Sequence, residues 1–153
     1  MYAKRILYII ILSLLCFSCA SNNFAYLFDK LTSNTEIKEL YFSCNLDSDV
    51  DFYYKKILKQ GKKNNAELMK YAHSVDDVNW FLPLNSCQLT KGDLAISILI
   101  NVNEIDDDKF ELLVPDSIRT SYKYYGIRVW WDWIHSDYNN REYVINQLKK
   151  IID

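Results

Sequence analysis

Glycine occurs only 3 times and proline only 2 times in 153 residues, so the chain is short of the residues that punctuate sheets and tight hairpins. That scarcity favours helices. Histidine is equally sparse: His73 and His135 are the whole complement, whereas zinc sites usually draw on several His or Cys ligands. No metal and no other cofactor is expected. An excess of positive charge is missing too, with 18 Lys and Arg against 20 Asp and Glu and a formal net charge of −2. A mildly acidic chain has no electrostatic reason to seek nucleic acid. Nor does any apolar run reach the ~20 residues that cross a bilayer as a helix.

What is present is the balance of a packed protein. Hydrophobic residues make up 50% and charged residues 25% of the chain, and the length suits one domain of ordinary size. No internal repeat or low-complexity segment interrupts it.

The first twenty residues are organised differently. Lys4 and Arg5 form a positive start, residues 6–15 (ILYIIILSLL) form an apolar stretch, and small and polar residues follow at once. This is the layout of a secretory signal peptide, with an uncleaved signal anchor or an ordinary secreted product as the alternatives. Removing residues 1–18 would leave 16 basic against 20 acidic residues, a net of −4.

The stretch Cys16-Phe17-Ser18-Cys19 resembles the lipobox that closes a bacterial lipoprotein signal peptide, with small Ser18 directly before Cys19. Cys16 and Phe17 depart from the preferred residues of that pattern. Cleavage before Cys16 would put bulky Leu15 in a pocket made for a small residue, so Cys19 is the expected acceptor. The resemblance implies a diacylated Cys19 as the new N-terminus, and a third acyl chain in the mature form. Each buried CH₂ contributes ~0.8 kcal/mol, so such an anchor holds its membrane stably. Ala20 stands where Asp would favour inner-membrane retention, which implies an outer-membrane site facing the periplasm if the organism has two membranes. Residues 19–23 then form a short lipidated tether ahead of a domain spanning 24–153.

With Cys16 removed and Cys19 acylated, Cys44 and Cys87 remain. An even pair in an exported chain is what a disulfide requires; two buried free thiols are the other possibility.

The expected fold class is mainly α, a single compact multi-helix domain. Phe24, Leu27, Phe28 and Leu31 follow the spacing of one helical face. Ser33 to Glu36 reads as a capping box for a second helix carrying Ile37, Leu40, Tyr41 and Cys44 inward. A third helix opens at Ser48 to Asp51, turns Tyr53, Tyr54, Ile57 and Leu58 inward and stops at Gly61; Asn64 with Glu67 caps a fourth containing Leu68 and Ala72. Ser74 with Asp77 starts a short fifth helix ending before Pro83.

Thr90 to Asp93 again forms a cap, before the run LAISILINV (residues 94–102), which suits a central buried helix or a buried strand. Residues 103–109 read as an acidic loop and FELLVP as a strand or extended connection. Ile118, Tyr122, Tyr125 and Val129 share a helical face with Gly126 as a kink, and Asn139 to Glu142 cap a last helix with Val144, Leu148 and Ile151 inward.

Few residues suggest chemistry. Asp47, Asp49 and Asp51 open like a calcium loop, but Phe52 replaces the turn glycine and Leu58 the bidentate glutamate, so a helix cap is the better account. Asp106, Asp107 and Asp108 could hold a hard cation weakly, but a solvated loop is the simpler account. Asp132 and His135 stand three apart on a predicted helix and could form an acid–base pair, although no nucleophile or orienting group accompanies them. Lys55, Lys56, Lys59, Lys62 and Lys63 make a solvated face or a contact for anionic lipid head groups or an acidic partner.

The densest feature is YKYYGIRVWWDWIHSDY, residues 122–138. Trp131 and Trp133 diverge by about 200° on a helix, so one face cannot take both. A ring displaced from the core would be buried elsewhere or act as a recognition anchor, with Trp131, Trp133 and Tyr124 the candidates for partner contact. The expected function is therefore a lipid-anchored envelope protein that binds another protein, as an inhibitor, immunity-type protein or adaptor. A small hydrolase using Asp132 and His135, or a structural envelope lipoprotein, is the alternative.

Overall fold

The computed structural model describes residues 23–35, 38–39, 52–81 and 88–153. The second cysteine pair, the acidic triplet before Phe52 and the expected lipidation site lie outside those residues. Three strands and a succession of helices pack around one apolar cluster, which makes the chain mainly α and compact.

The first helix, α1 (Phe24–Thr32), buries Phe24, Leu27, Phe28 and Leu31, the four positions its spacing predicts. Asn23, expected in the tether, instead caps it: its side chain accepts from the Ala25 N–H at 3.0 Å. Beyond Ser33 the expected second helix does not begin as predicted, because Lys38–Glu39 form a strand, β1. Helix α2 (Phe52–Gln60) packs on α1 and turns Tyr54 and Ile57 inward, with Tyr53 and Leu58 half-buried. Gly61 ends it at φ +64°, a left-handed conformation that costs glycine little.

A 3₁₀ turn, Gly61–Asn64, leads into α3 (Asn65–Tyr71), where Leu68 is buried and Ala72 just beyond it is too. Asn64 occupies the expected cap position without capping; its amide bonds the Gln60 side chain at 2.7 Å.

The short helix expected after Ser74 is a strand, β2 (Asp77–Phe81). Ser74 Oγ accepts from the Asp76 N–H, a local turn rather than a helix cap. From there Val78 and Trp80 alternate inward, the period of a half-buried strand. β1 pairs parallel with β2, Lys38 opposite Trp80 and Glu39 opposite Phe81; β3 (Gln88–Thr90) pairs antiparallel on the other side. Trp80 ties this sheet to α1 by donating Nε1–H to the Leu31 carbonyl at 3.2 Å.

Central helix α4 (Lys91–Val102) is buried continuously from Gly92 to Ile100, which settles the run at 94–102 as helix. Its capping box is complete, Thr90 Oγ1 accepting from the Asp93 N–H while the Asp93 carboxylate accepts from the Thr90 N–H. Polar contacts also reach its apolar surroundings: Tyr54 Oη lies 3.1 Å from Ser97 Oγ and accepts from Asn101 Nδ2.

The predicted acidic loop runs as turn and loop through residues 103–106 and becomes helical at Asp107, and the extended segment predicted after it is mostly helical turn. Asp106 caps α5 (Asp107–Phe110) by accepting from the Lys109 N–H, and Glu111–Leu113 continue as a 3₁₀ turn. Phe110, Leu113 and Val114 are buried on the spacing of a helical turn. The Leu113 carbonyl accepts from Trp130 Nε1 at 3.0 Å.

Gly126 is a break rather than a kink. Its φ of 69° and ψ of −156° separate α6 (Asp116–Tyr125) from α7 (Ile127–Ser136), so the shared face predicted across residues 118–129 divides. Ile118 and Tyr122 pack on the core, whereas Tyr125 is 74% exposed. The final helix, α8 (Tyr138–Ile152), buries Val144, Ile145 and Leu148 and half-buries Ile151. Its cap is Asp137, accepting from the Asn139 N–H at 2.8 Å, two residues before the predicted one.

Candidate functional site

The most concentrated polar chemistry lies where the N-terminus of α4 meets α7, α8 and the turn after α3. Asp93 is the third residue of α4 and goes inward with that largely apolar helix; its side chain has no exposed surface. A carboxylate there needs partners. Oδ1 accepts from Arg141 Nη2 of α8 at 2.9 Å, and Oδ2 lies 2.9 Å from His135 Nε2 of α7. Oδ2 also accepts from the Thr90 N–H at 2.7 Å and Thr90 Oγ1 at 2.8 Å.

Arg141 is almost as deep, 4% exposed, and its other nitrogen extends the network. Nη1 donates to the Ser74 carbonyl at 2.6 Å and to Thr90 Oγ1 at 2.8 Å. Gly92 makes room for this group: a Cβ there would stand 2.4 Å from Arg141 Nη1 and from the Ser74 carbonyl oxygen. The glycine answers to close approach, not to an unusual φ.

Burial alone pushes the Asp93 carboxyl up. The hydrogen bond from His135, the charges of Arg141 and His135 and the Thr90 N–H outweigh it, holding the group below the usual carboxylate range. An ionised Asp93 can only accept, so His135 donates Nε2–H.

Chemically the cluster is closed. All four contacts of Asp93 are internal, and the Thr90 hydroxyl both donates to it and accepts from Arg141. The arrangement joins three helices and a turn; it presents no hydroxyl or thiol activated for attack.

The two residues of the predicted acid–base pair also have other partners. His135 directs Nε2 to Asp93, and Asp132 stands 3.8 Å from Arg128 one turn earlier on the surface of α7. Asp93 and Arg141, which the sequence offers only as capping residues, are the partners that reading missed. The available signal was Asp93 itself, an acid in the first turn of a helix apolar nearly all round. His73 pairs separately with Glu142 across the turn after α3.

The aromatic residues divide. Trp130 and Trp131 are both fully buried, the first against Phe110 with ring centroids 4.9 Å apart and the second edge-on to Trp130 at 4.8 Å. Trp131 is thus removed as a surface contact. Trp133 does diverge from it, and is half-buried edge-on to Tyr143 of α8 at 5.8 Å. Burial of neighbouring rings is possible because α7 is covered by α6 on one side and α8 on another. Tyr124 is 81% exposed beside Tyr125 at the C-terminal end of α6.

Cys19, Cys44 and Cys87, and likewise Asp47, Asp49 and Asp51, lie outside the described residues. Among the described residues, no three His, Cys, Asp or Glu side chains converge on a possible metal site, and no helix is long and apolar enough to cross a membrane. Comparison with protein-family models, curated proteins and solved structures finds no significant match.

Proposed function

We propose that this chain is a bacterial envelope lipoprotein, anchored through acylated Cys19, that acts by binding another protein through the end of α6. The observation that carries the binding role is the pair Tyr124 and Tyr125, 81% and 74% exposed, at the end of α6 where Gly126 interrupts the helix. Tyrosine supplies a large contact area with few rotamers to freeze and a hydroxyl for orientation, which is why it is enriched in binding hot spots. The signal-peptide layout and Cys19 support the anchor.

An inhibitor, immunity-type or adaptor role is consistent with this surface. A hydrolase built on Asp132 and His135 is the weaker reading, because His135 gives Nε2 to Asp93 inside a closed network. A structural role without a partner differs from ours in one respect: it makes the tyrosine pair dispensable.

Placing a photoreactive residue at position 124 in living cells, with a second at position 150 as control, tests the binding role. A discrete crosslinked product from 124 alone is expected. Replacing both Tyr124 and Tyr125 with Ala should weaken the isolated complex about tenfold or more while leaving the melting temperature unchanged. Absence of a product, or a complex indifferent to both substitutions, would refute it.

A further inference from the structure

Resting on that anchor, we infer that α2 and the turn after it form a docking face for anionic lipid head groups, which orients the domain on its own membrane. Residues 52–66 contain Lys55, Lys56, Lys59, Lys62 and Lys63 and no acidic residue, in a chain otherwise dominated by acids. Along α2 the segregation in sequence is matched by segregation in space.

At about 100° per residue, Phe52, Lys55, Lys56 and Lys59 centre on one side of α2, and buried Tyr54 and Ile57 on the opposite side. Lys59, Lys62 and Lys63 are exposed. Among the described residues none of the five makes an ion pair. Phe52 is 62% exposed with Lys56 Nζ over its ring at 4.5 Å, so the face combines an apolar ring with cations, as interfacial helices do. Asp47, Asp49 and Asp51 precede Phe52 in sequence, which centres the basic character on residues 59–63.

Geometry makes the lipid surface the nearest polyanion. Four peptide units separate Cys19 from Asn23 and span at most about 14 Å. α1 begins there, and α2 packs directly on α1. A domain held this close meets the surface constantly, and each lysine near an anionic surface favours the docked orientation by roughly fivefold.

The test uses the full chain reconstituted in vesicles of phosphatidylcholine alone or mixed with phosphatidylglycerol. A membrane-impermeant amine reagent is applied, and labelling at each lysine is read by mass spectrometry relative to exposed Lys149 and Lys150 of α8. Labelling of Lys59, Lys62 and Lys63 should slow roughly fivefold or more on the anionic vesicles only. It should recover in about 1 M salt, where the screening length shrinks to about 3 Å. Equal labelling on both vesicles, with the chain still floating with them, would overturn head-group docking and leave the anchor standing. A chain that floats with neither overturns the anchor and this inference together. Protection by soluble polyglutamate equal to that by vesicles would replace the membrane with an acidic protein and also overturn it.

Discussion

At the scale of the residue, Asp93 decides most. Its carboxylate is buried and fully partnered, so removing a partner costs more than the partner's own contact is worth. Arg141→Met leaves that charge uncompensated and should lower stability by about 3–5 kcal/mol, measured by urea unfolding at neutral pH. Adding Asp93→Asn should recover part of the loss, the double variant falling short of the summed single costs by roughly 0.5–3 kcal/mol. The same carboxyl sets an acid response. Its folded-state pKa lies below the unfolded value, so its stabilisation is fully present above the ordinary carboxylate range and is lost as pH falls through the folded value. Wild type should therefore lose stability from about pH 4 downward, and Asp93→Asn should show a flatter profile there. Glu142 is lowered as well, its burial outweighed by hydrogen bonds with Tyr138 and His73 and by the charges of His73 and Lys149, so it contributes in the same window. The difference between wild type and Asp93→Asn isolates Asp93. Of this cluster the sequence discloses the Thr90–Asp93 capping box, a relation across three residues. Arg141 and His135 stand more than forty residues away, and only the packing of α7 and α8 brings them in.

At the scale of the element, local signals are legible where the element is stabilised locally or by one broad apolar face. α1, α2 and α4 follow their hydrophobic spacing, and the caps at Thr90 and Gly61 lie where residue chemistry puts them. β2 is the counterexample. Ser74 and Asp77 have the spacing of a helix start, but the strand gains its hydrogen bonds from Lys38–Glu39 and Gln88–Thr90, partners invisible in a short window. The cap of α8 fails for a smaller reason, since Asp137 precedes the polar run and captures Asn139 first. Gly126 is the element-scale position most open to test. With φ 69° and ψ −156° it occupies a region essentially reserved for glycine, and a Cβ there would meet no atom within 4 Å. Gly126→Ala should thus cost about 1–3 kcal/mol through backbone strain alone, read as a lower urea midpoint with unchanged helical circular dichroism. Gly92→Ala should also destabilise, by about 1–3 kcal/mol, but through collision with the Ser74 and Ala72 carbonyls and Arg141. Adding Arg141→Lys relieves only the side-chain part of that collision, and leaves Gly126→Ala unrelieved.

At the scale of the whole molecule, the sheet holds two described positions, Glu39 and Gln88, from which Cys44 and Cys87 stand five residues and one residue away in sequence. Glu39 of β1, Phe81 of β2 and Gln88 of β3 form one row, Glu39 paired with Phe81 and Phe81 with Gln88. Adjacent strands lie about 4.8 Å apart, so Glu39 and Gln88 are separated by roughly 10 Å. Cys87 directly precedes Gln88, and Cys44 follows Glu39 by five residues, a length of chain that can reach up to about 17 Å. A bridge is therefore within reach of two ends that the sheet already holds. The export proposed above would place the chain in an oxidising compartment, in which such a bond persists. On the chain-entropy account, closing the loop from Cys44 to Cys87 contributes about 4 kcal/mol before any native-state strain. Peptide mapping of protein isolated from the envelope without reductant should recover these two cysteines joined, and reduction should lower the urea midpoint. Cys19→Ala should release the chain to the soluble fraction with the bridge intact, because the bond depends on passage across the membrane and not on the acyl group. Two free thiols in exported wild-type protein would remove the bridge. A Cys19→Ala chain that stayed with the membrane would instead move the anchor to the uncleaved leader or Cys16, so location and covalent framework fail or stand separately.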